Sequence, residues 1–486
     1  GFQGNDPTID HASRLNVNRQ TTLRADATQS GDGGEIVMWS DDATLFTGRA
    51  SARGGQAGGN GGLVEVSSSG WLGFYGIVDT SAPLGKNGLL LLDPDNIVIV
   101  SGDAGDGADD MLLDDNQLPA SDAAGMDVQI SDGTIEALAD TDILIAATGN
   151  ISIGNLADGS LALTVSAGNT FTFDAGGSFA MVGTNPITTN GGNLVIRAGD
   201  ALQIPSVNTA GGDLTLEGGN EIRVVRNLVD IGTLDILSTG ATRVVNLADV
   251  DANSITIDSD TLGVGGSIFS QTALDLTNLS TIRSSQGSAN YTIGAFDGEN
   301  AFAVLIDPSA SIEGPGGLRF VASTITLPEI NNLSSLEVTA TEELILLGDI
   351  NLDNDPNALG GRLDLSDCAL VTLANDVRID TDRLIHDAVG GDVILGGTTI
   401  RAADAGVQEL VINTETDTDD LAGLIELGNI GGDSPLGRFV VVGSQLRLTG
   451  AISVASSPEL FRVDNIVVAS DDASISTGGQ NLDLRI

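Results

Sequence analysis

Several things are scarce in this sequence, and each scarcity excludes something. One cysteine, Cys368, in 486 residues rules out an intrachain disulfide, so stability must come from another source. It lies in a strand-like run, Leu-Asp-Leu-Ser-Asp-Cys-Ala-Leu, and is expected to behave as a small buried hydrophobe. Aromatic residues make up 3% and there are 12 prolines, too few large rings to anchor several globular cores. Lysine is represented by Lys86 alone; every other basic residue is arginine, and 20 basic residues face 67 acidic ones for a net charge of −47. Such a surface is a poor partner for nucleic acid or an anionic membrane, because binding either requires cations against phosphates. The acidity either serves solubility or suits a saline or calcium-rich habitat that screens the repulsion. No apolar run approaches the roughly 18 residues of a membrane-spanning helix. The opening Gly1-Phe2-Gln3-Gly4-Asn5 has neither the basic nor the apolar part of a signal peptide, so the chain reads as a piece of something longer.

What is present is aliphatic and repetitive. Hydrophobic residues make up 41% and glycine contributes 64 positions. Glycine-led, alternating strands recur: Gly191-Gly192-Asn193-Leu194-Val195-Ile196, Gly211-Gly212-Asp213-Leu214-Thr215-Leu216, Gly232-Thr233-Leu234-Asp235-Ile236, Ser254-Ile255-Thr256-Ile257 and Ala273-Leu274-Asp275-Leu276. Their leading residues Leu194, Leu214, Leu234, Ile255 and Leu274 advance in steps of about 20, the mark of a solenoid. Aliphatic–polar–aliphatic alternation gives each strand one buried face, and no sustained helical period is present to supply βαβ crossovers. The fold class is therefore all-β, a parallel β-helix of about 20 rungs stacked at the strand spacing into a rod on the order of 100 Å. Leu194, Leu214 and Leu234 should form one internal ladder.

Spacing divides the chain into a wide-rung β-helix over 1–100, an acidic loop insertion with a short helical turn over 101–140, and a β-helix continuing over 141–486. In the first part strands begin at Ile36, Leu63 and Leu89, with Trp39, Phe46, Trp71, Phe74 and Tyr75 among them. These aromatics either form a ligand platform or fill the wider rungs. Residues 101–133 read as a loop, with a helical turn near 131–138 and strands resuming at Ile143-Leu144-Ile145. Later strands at Leu318, Leu336, Leu363, Val393, Leu410 and Phe439 are more loosely spaced, which calls for inserted loops. The sequence ends on Leu482-Asp483-Leu484, still within the repeat.

The segment from Gly33 to Pro94 resembles the signature segment of filamentous haemagglutinin family exoproteins, the secreted partners of two-partner secretion. The matching pieces are Val37-Met38-Trp39-Ser40-Asp41, Ala52-Arg53-Gly54-Gly55, Gly61-Gly62-Leu63-Val64-Glu65-Val66-Ser67, Val78-Asp79-Thr80-Ser81-Ala82 and Leu90-Leu91-Leu92-Asp93-Pro94. Ser67-Ser68-Ser69 stands where the family usually has Ser-Gly-Lys. The resemblance implies a right-handed parallel β-helix, exported by an outer-membrane transporter to the surface or surroundings of a Gram-negative bacterium. It implies contact with a host or neighbouring cell through a glycan or protein receptor. The expected function is a non-enzymatic stalk or adhesive scaffold. Alternatives are a toxin-presenting stalk, a self-associating extracellular filament, and a polysaccharide-acting β-helix enzyme.

Candidate chemistry is thin. The histidines His11 and His386 are far apart, and there is no CxxC, HExxH or phosphate-loop spacing. No basic cluster is evident that would complete a lyase site among the carboxylates. Asp103, Asp106, Asp109 and Asp110 are candidate calcium ligands, because carboxylates at short spacing supply hard oxygens. Their spacing matches neither an EF-hand nor a Gly-Gly-x-Gly-x-Asp repeat, and a solvated loop is the alternative. Calcium is the one cofactor these residues suggest.

Overall fold

A computed structural model of the chain describes residues 8–93, 96–103, 128–138, 140, 142–285, 290–352, 361–381, 390–415, 422–455, 459–477 and 482–485. The chain is all-β, with its strands in a large parallel sheet, as a parallel β-helix requires. It divides into two compact units, Gly1–Arg243 and Val244–Ile486.

In the first unit the expected ladder is present residue for residue. Leu194 pairs in register with Leu214, and Leu214 with Leu234; all three are fully buried. Ile196, Leu216 and Ile236 form the parallel column two residues further on. Alternation explains the rest of the strand: Val195, Thr215 and Asp235 fall on the other face. Each aliphatic column removes side chains from water on both its upper and lower neighbours, worth about 1.5–3 kcal/mol per side chain before conformational entropy is set against it.

The turns between strands are held by two repeated devices. At the corner before the strand, an Asn or Asp side chain accepts the backbone N–H of the rung that follows. Asn193 Oδ1 takes the amide of Asp213 at 3.0 Å, and Asp213 Oδ1 takes that of Thr233 at 2.8 Å. The second unit repeats this, with Asp349 accepting from Arg378, Asp376 from Glu409 and Asp392 from Leu424. Inside the corner, a buried threonine adds a second donor to carbonyls that already accept an amide, Gly212 O from Gly232 and Asp230 O from Gly211. Thr209 Oγ1 lies 2.5 Å from Gly212 O and 3.1 Å from Asp230 O. The first device satisfies amides at the bend, and the second gives the buried hydroxyl its own partners.

Glycine recurs at strand starts for a steric reason. A Cβ on Gly62 would stand 1.9 Å from the carbonyl oxygen of Gly34, and one on Gly88 would stand 1.9 Å from that of Gly62. The same carbonyls accept the amides of Leu63 and Leu89. Only a residue without a side chain lets the rungs close to that distance.

The wide rungs differ from expectation by one residue. Glu35, Leu63 and Leu89 are register partners, rather than Ile36, Leu63 and Leu89. Val64 and Leu90 therefore face inward, while Leu63 and Leu89 are half-buried on the other face. The strand Glu35–Phe46 continues round a bend to pair with both Leu63–Ser68 and Trp71–Phe74. A separate three-stranded sheet, Thr22–Arg24, Arg49–Ser51 and Ile77–Asp79, forms another face.

The stretch read as a loop over 101–133 contains a strand. Val128–Ser131 pairs in parallel with Ile97–Val100, whose other edge takes Ile151–Ile153. Its own other side lies beside Trp71–Phe74. A strand later in the chain thus sits below an earlier one, and the winding order is locally reversed. Three alternating residues, Val128-Gln129-Ile130, are too short a pattern to separate from a loop by sequence. The helical turn does occur, as Asp132–Glu136, with Ser131 as its N-cap accepting from the amide of Thr134. One turn of helix is not stable alone; burial of Ile135 and Leu138 holds it. Strand Asp142–Ala147 follows, stacked on Leu89–Asp93.

In the second unit Leu318 pairs with Leu336, Leu336 with Leu363, Leu363 with Val393, Val393 with Ile425 and Ile425 with Leu446. Leu410 and Phe439, grouped with that series by sequence, belong to a different column, in which Val377, Leu410 and Phe439 are partners. Aliphatic triplets look alike on every face of a rung, so spacing alone merges the columns. The loops expected to lengthen these rungs fall largely on residues outside the described set. Cys368 is buried, its thiol donating to Val338 O and pushed up to about 12 by burial, as expected of an inert hydrophobe.

Candidate functional site

Among the described residues, the polar and aromatic residues singled out by sequence do not come together as one site. Asp103 is exposed, with its carbonyl accepting from the Ser131 hydroxyl; Asp106, Asp109 and Asp110 lie outside the described residues. Among the described residues there is no group of three or more His, Cys, Asp or Glu placed to hold a metal ion. His386 also lies outside the described residues. His11 Nδ1 is 3.1 Å from Asp41 Oδ1, and its ring stands edge-on to Trp39 with centroids 6.1 Å apart.

The aromatics are divided by face. Phe46 and Phe74 stack inside the coil at 5.6 Å, filling the wide rungs. Beside them is a buried hydroxyl cluster: Ser40 Oγ is 2.7 Å from Thr44 Oγ1 and 3.1 Å from Ser68 Oγ, and Thr44 donates to Ser67 O. Trp71 lies across Gly73, where a Cβ would stand 2.3 Å from its ring, and is 1% exposed. Trp39 remains half-buried at a cleft of about 620 Å³ lined by His11, Leu15, Glu35 and Met38.

The arrangement most suited to recognition was not picked out from sequence. It is a cleft of about 370 Å³ between the strand Ile77–Asp79 and the short helix. Gly48, Arg49, Gly76 and Ile77 form one wall, Thr134, Ala137 and Leu138 the other, with Arg19 and Tyr75 at its border. The helix causes the cleft. It takes the place of a strand on this face and packs on the following strand Leu161–Ser166, where Glu136 accepts the amide of Ala162 and Leu138 O accepts from Thr164 Oγ1. Burial, repulsion from Asp158 and repulsion from Asp132 raise the Glu136 carboxyl above its usual range, against the pull of the Ala162 amide.

Charge at this face runs against the rest of the chain. Arg14, Arg19, Arg24, Arg49 and Arg53 all fall within the first 53 residues. Arg53 is neutralised, lying 3.0 Å from Asp26 and 3.9 Å from Asp79. Burial pushes the Asp26 carboxyl up, but hydrogen bonds from Arg53 and Ser51 outweigh it and hold it below the ordinary value. The Arg49 amide donates to Thr21 O at 2.9 Å, while its guanidinium has no hydrogen-bond or ion-pair partner among the described residues. Clustering of arginine in a chain so short of cations was the available sequence signal.

These features define a parallel β-helix with mostly structural polar chemistry and, among the described residues, arginine-bordered clefts. No protein-family model matches the chain, and no curated protein matches it. No helix among the described residues is long and apolar enough to cross a membrane, which leaves β-barrel spans unaddressed.

Proposed function

We propose that the chain is a non-enzymatic β-helical segment of a large exoprotein of the filamentous haemagglutinin type, acting as a stalk and adhesive scaffold. The observation that carries this reading is the register-true stacking of aliphatic columns within each unit, with Asx, threonine and glycine devices at several of the described turns. Such stacking makes a stiff spacer whose surface loops are free to vary. The Gly33–Pro94 resemblance adds the export route: a Gram-negative outer-membrane transporter delivering the chain to the cell surface or the medium. Its partner is a receptor on a host or neighbouring cell.

The reading is tested on intact cells carrying the complete gene and its neighbours. External protease should remove the chain without lysis, or the chain should appear in the culture medium, and loss of an adjacent transporter gene should abolish both. Beads coated with the purified chain should adhere to target cells. A chain retained inside the cell would end the proposal, as would turnover of a uronic-acid polymer by the purified protein.

A further inference from the structure

The cleft beside the helix has a strand edge on one wall. Ile77–Asp79 pairs with Arg49–Ser51 on one side; on the other no strand pairs with it among the described residues. An unpaired strand edge presents backbone donors and acceptors in the pattern that an added strand satisfies. Ile77 is 44% exposed at this edge, on the outward column whose register partners are Arg49 and Thr22. Arg49 is its register partner and has no partner charge among the described residues.

We infer that this cleft is a docking slot for a short extended peptide bearing a carboxylate, which adds to the open edge of Ile77–Asp79 and sets its carboxylate on Arg49. The backbone of the peptide meets the edge, an aliphatic side chain covers Ile77, and the guanidinium forms a forked pair with the acid. Size and field both favour a short ligand. A space of about 370 Å³ admits a few residues. The net charge of −47 repels any extended polyanion, while a single carboxylate within a screening length feels mainly the local arginines. A bare sugar acid would use the guanidinium but not the strand edge. The inference does not depend on where the chain is displayed.

The test is fluorescence polarisation on the full chain with labelled acetyl-Thr-Val-Thr-Val-Glu-amide as probe. Its Gln counterpart, a backbone N-methylated copy and glucuronic acid serve as comparators. The acidic peptide should bind, and the Gln and N-methylated peptides should each bind about tenfold or more weakly. Arg49→Gln should weaken binding by a similar factor, and raising salt from about 0.05 to 0.5 M should weaken it several-fold. Arg49 is exposed, so an unchanged melting temperature is expected for that variant; Ile77→Glu, which places a like charge at the edge, gives a second loss of binding by a different route. Absence of binding to the wild-type chain overturns the inference. Equal binding of the N-methylated peptide removes the strand edge from it, and glucuronic acid binding as tightly as the peptide points to a sugar carboxylate; either result overturns it.

Discussion

The wide rungs near Leu63 and the narrow rungs near Leu214 solve the same packing problem with different materials. Rungs of 20 residues near Leu214 enclose a mainly aliphatic interior, as Leu194, Leu214 and Leu234 show, with buried Thr209 at the corner. In the wide rungs Glu35, Leu63 and Leu89 stand 28 and 26 residues apart, and the larger interior takes the Phe46–Phe74 stack and the Ser40–Thr44–Ser68 hydroxyl cluster. Circumference alone does not decide the filling, since Phe320 is fully buried in the 18-residue turn from Leu318 to Leu336. The wide turns near Leu63 also carry the separate three-stranded sheet and the cleft beside it.

The largest effect that would sharpen this contrast is loss of a ring from the wide interior. Phe74→Ala should cost about 3–5 kcal/mol of local stability, because Phe46 loses its stacking partner and the hydroxyl cluster cannot collapse into the void. Leu214→Ala should cost about 2–5 kcal/mol, confined to its neighbours. Hydrogen exchange would read each loss in its own rungs; a Phe74→Ala loss spread evenly over the narrow rungs would break the distinction. Next in size is Thr209→Val, which removes the hydroxyl shared between the carbonyls of Gly212 and Asp230 while each keeps its amide donor, and should cost about 1–1.5 kcal/mol by denaturant melting. Smaller again, Asp213→Ala should cost about 0.5–1.5 kcal/mol and speed exchange of the Thr233 amide before others.

The smallest effect is pH-dependent and has opposite signs in two places. Asp26 is held below its ordinary value of 3.8, so its contribution is complete above that value and is lost as the pH falls through the lower folded value. Glu136 is raised above its ordinary 4.5, so its ionised form opposes the fold, and that penalty fades as the pH falls through the raised value. Acidifying from neutrality should first slow amide exchange around Leu161–Ser166 and leave the Arg53 corner unchanged. Protection at that corner should fail only in stronger acid. Amide exchange rates that change together at both places would contradict this assignment.

Much of the fold was legible because a strand with one buried face repeats every other residue and a coil repeats once per turn. Leu194, Leu214 and Leu234 satisfy both periods, so their register could be read directly. The wide-rung register could be read from Leu63 to Leu89 but not at Ile36, because the strand starts on Glu35 and the first aliphatic residue, Ile36, pairs with Val64 rather than Leu63. Glu65 shows the same limit. Its place between Val64 and Val66 marks it as outward-facing, yet it is fully buried, and nothing local to Leu-Val-Glu-Val-Ser announces that. The reversed strand Val128–Ser131 escaped because its neighbours are distant in sequence. The cleft escaped for a related reason: it exists where a helix replaces a strand, and only the third dimension brings Arg49 opposite Ala137.

The Asx corners carry one more consequence. Such a side chain accepts from the rung that comes after it in the chain, as Asn193 does for Asp213 and Asp213 for Thr233. Many of the described turns therefore offer a ready acceptor to residues further along, although Asp132 accepts backwards from Gly102. A chain that folds from its amino end can settle turn upon turn on what is already in place, without waiting for its remote end.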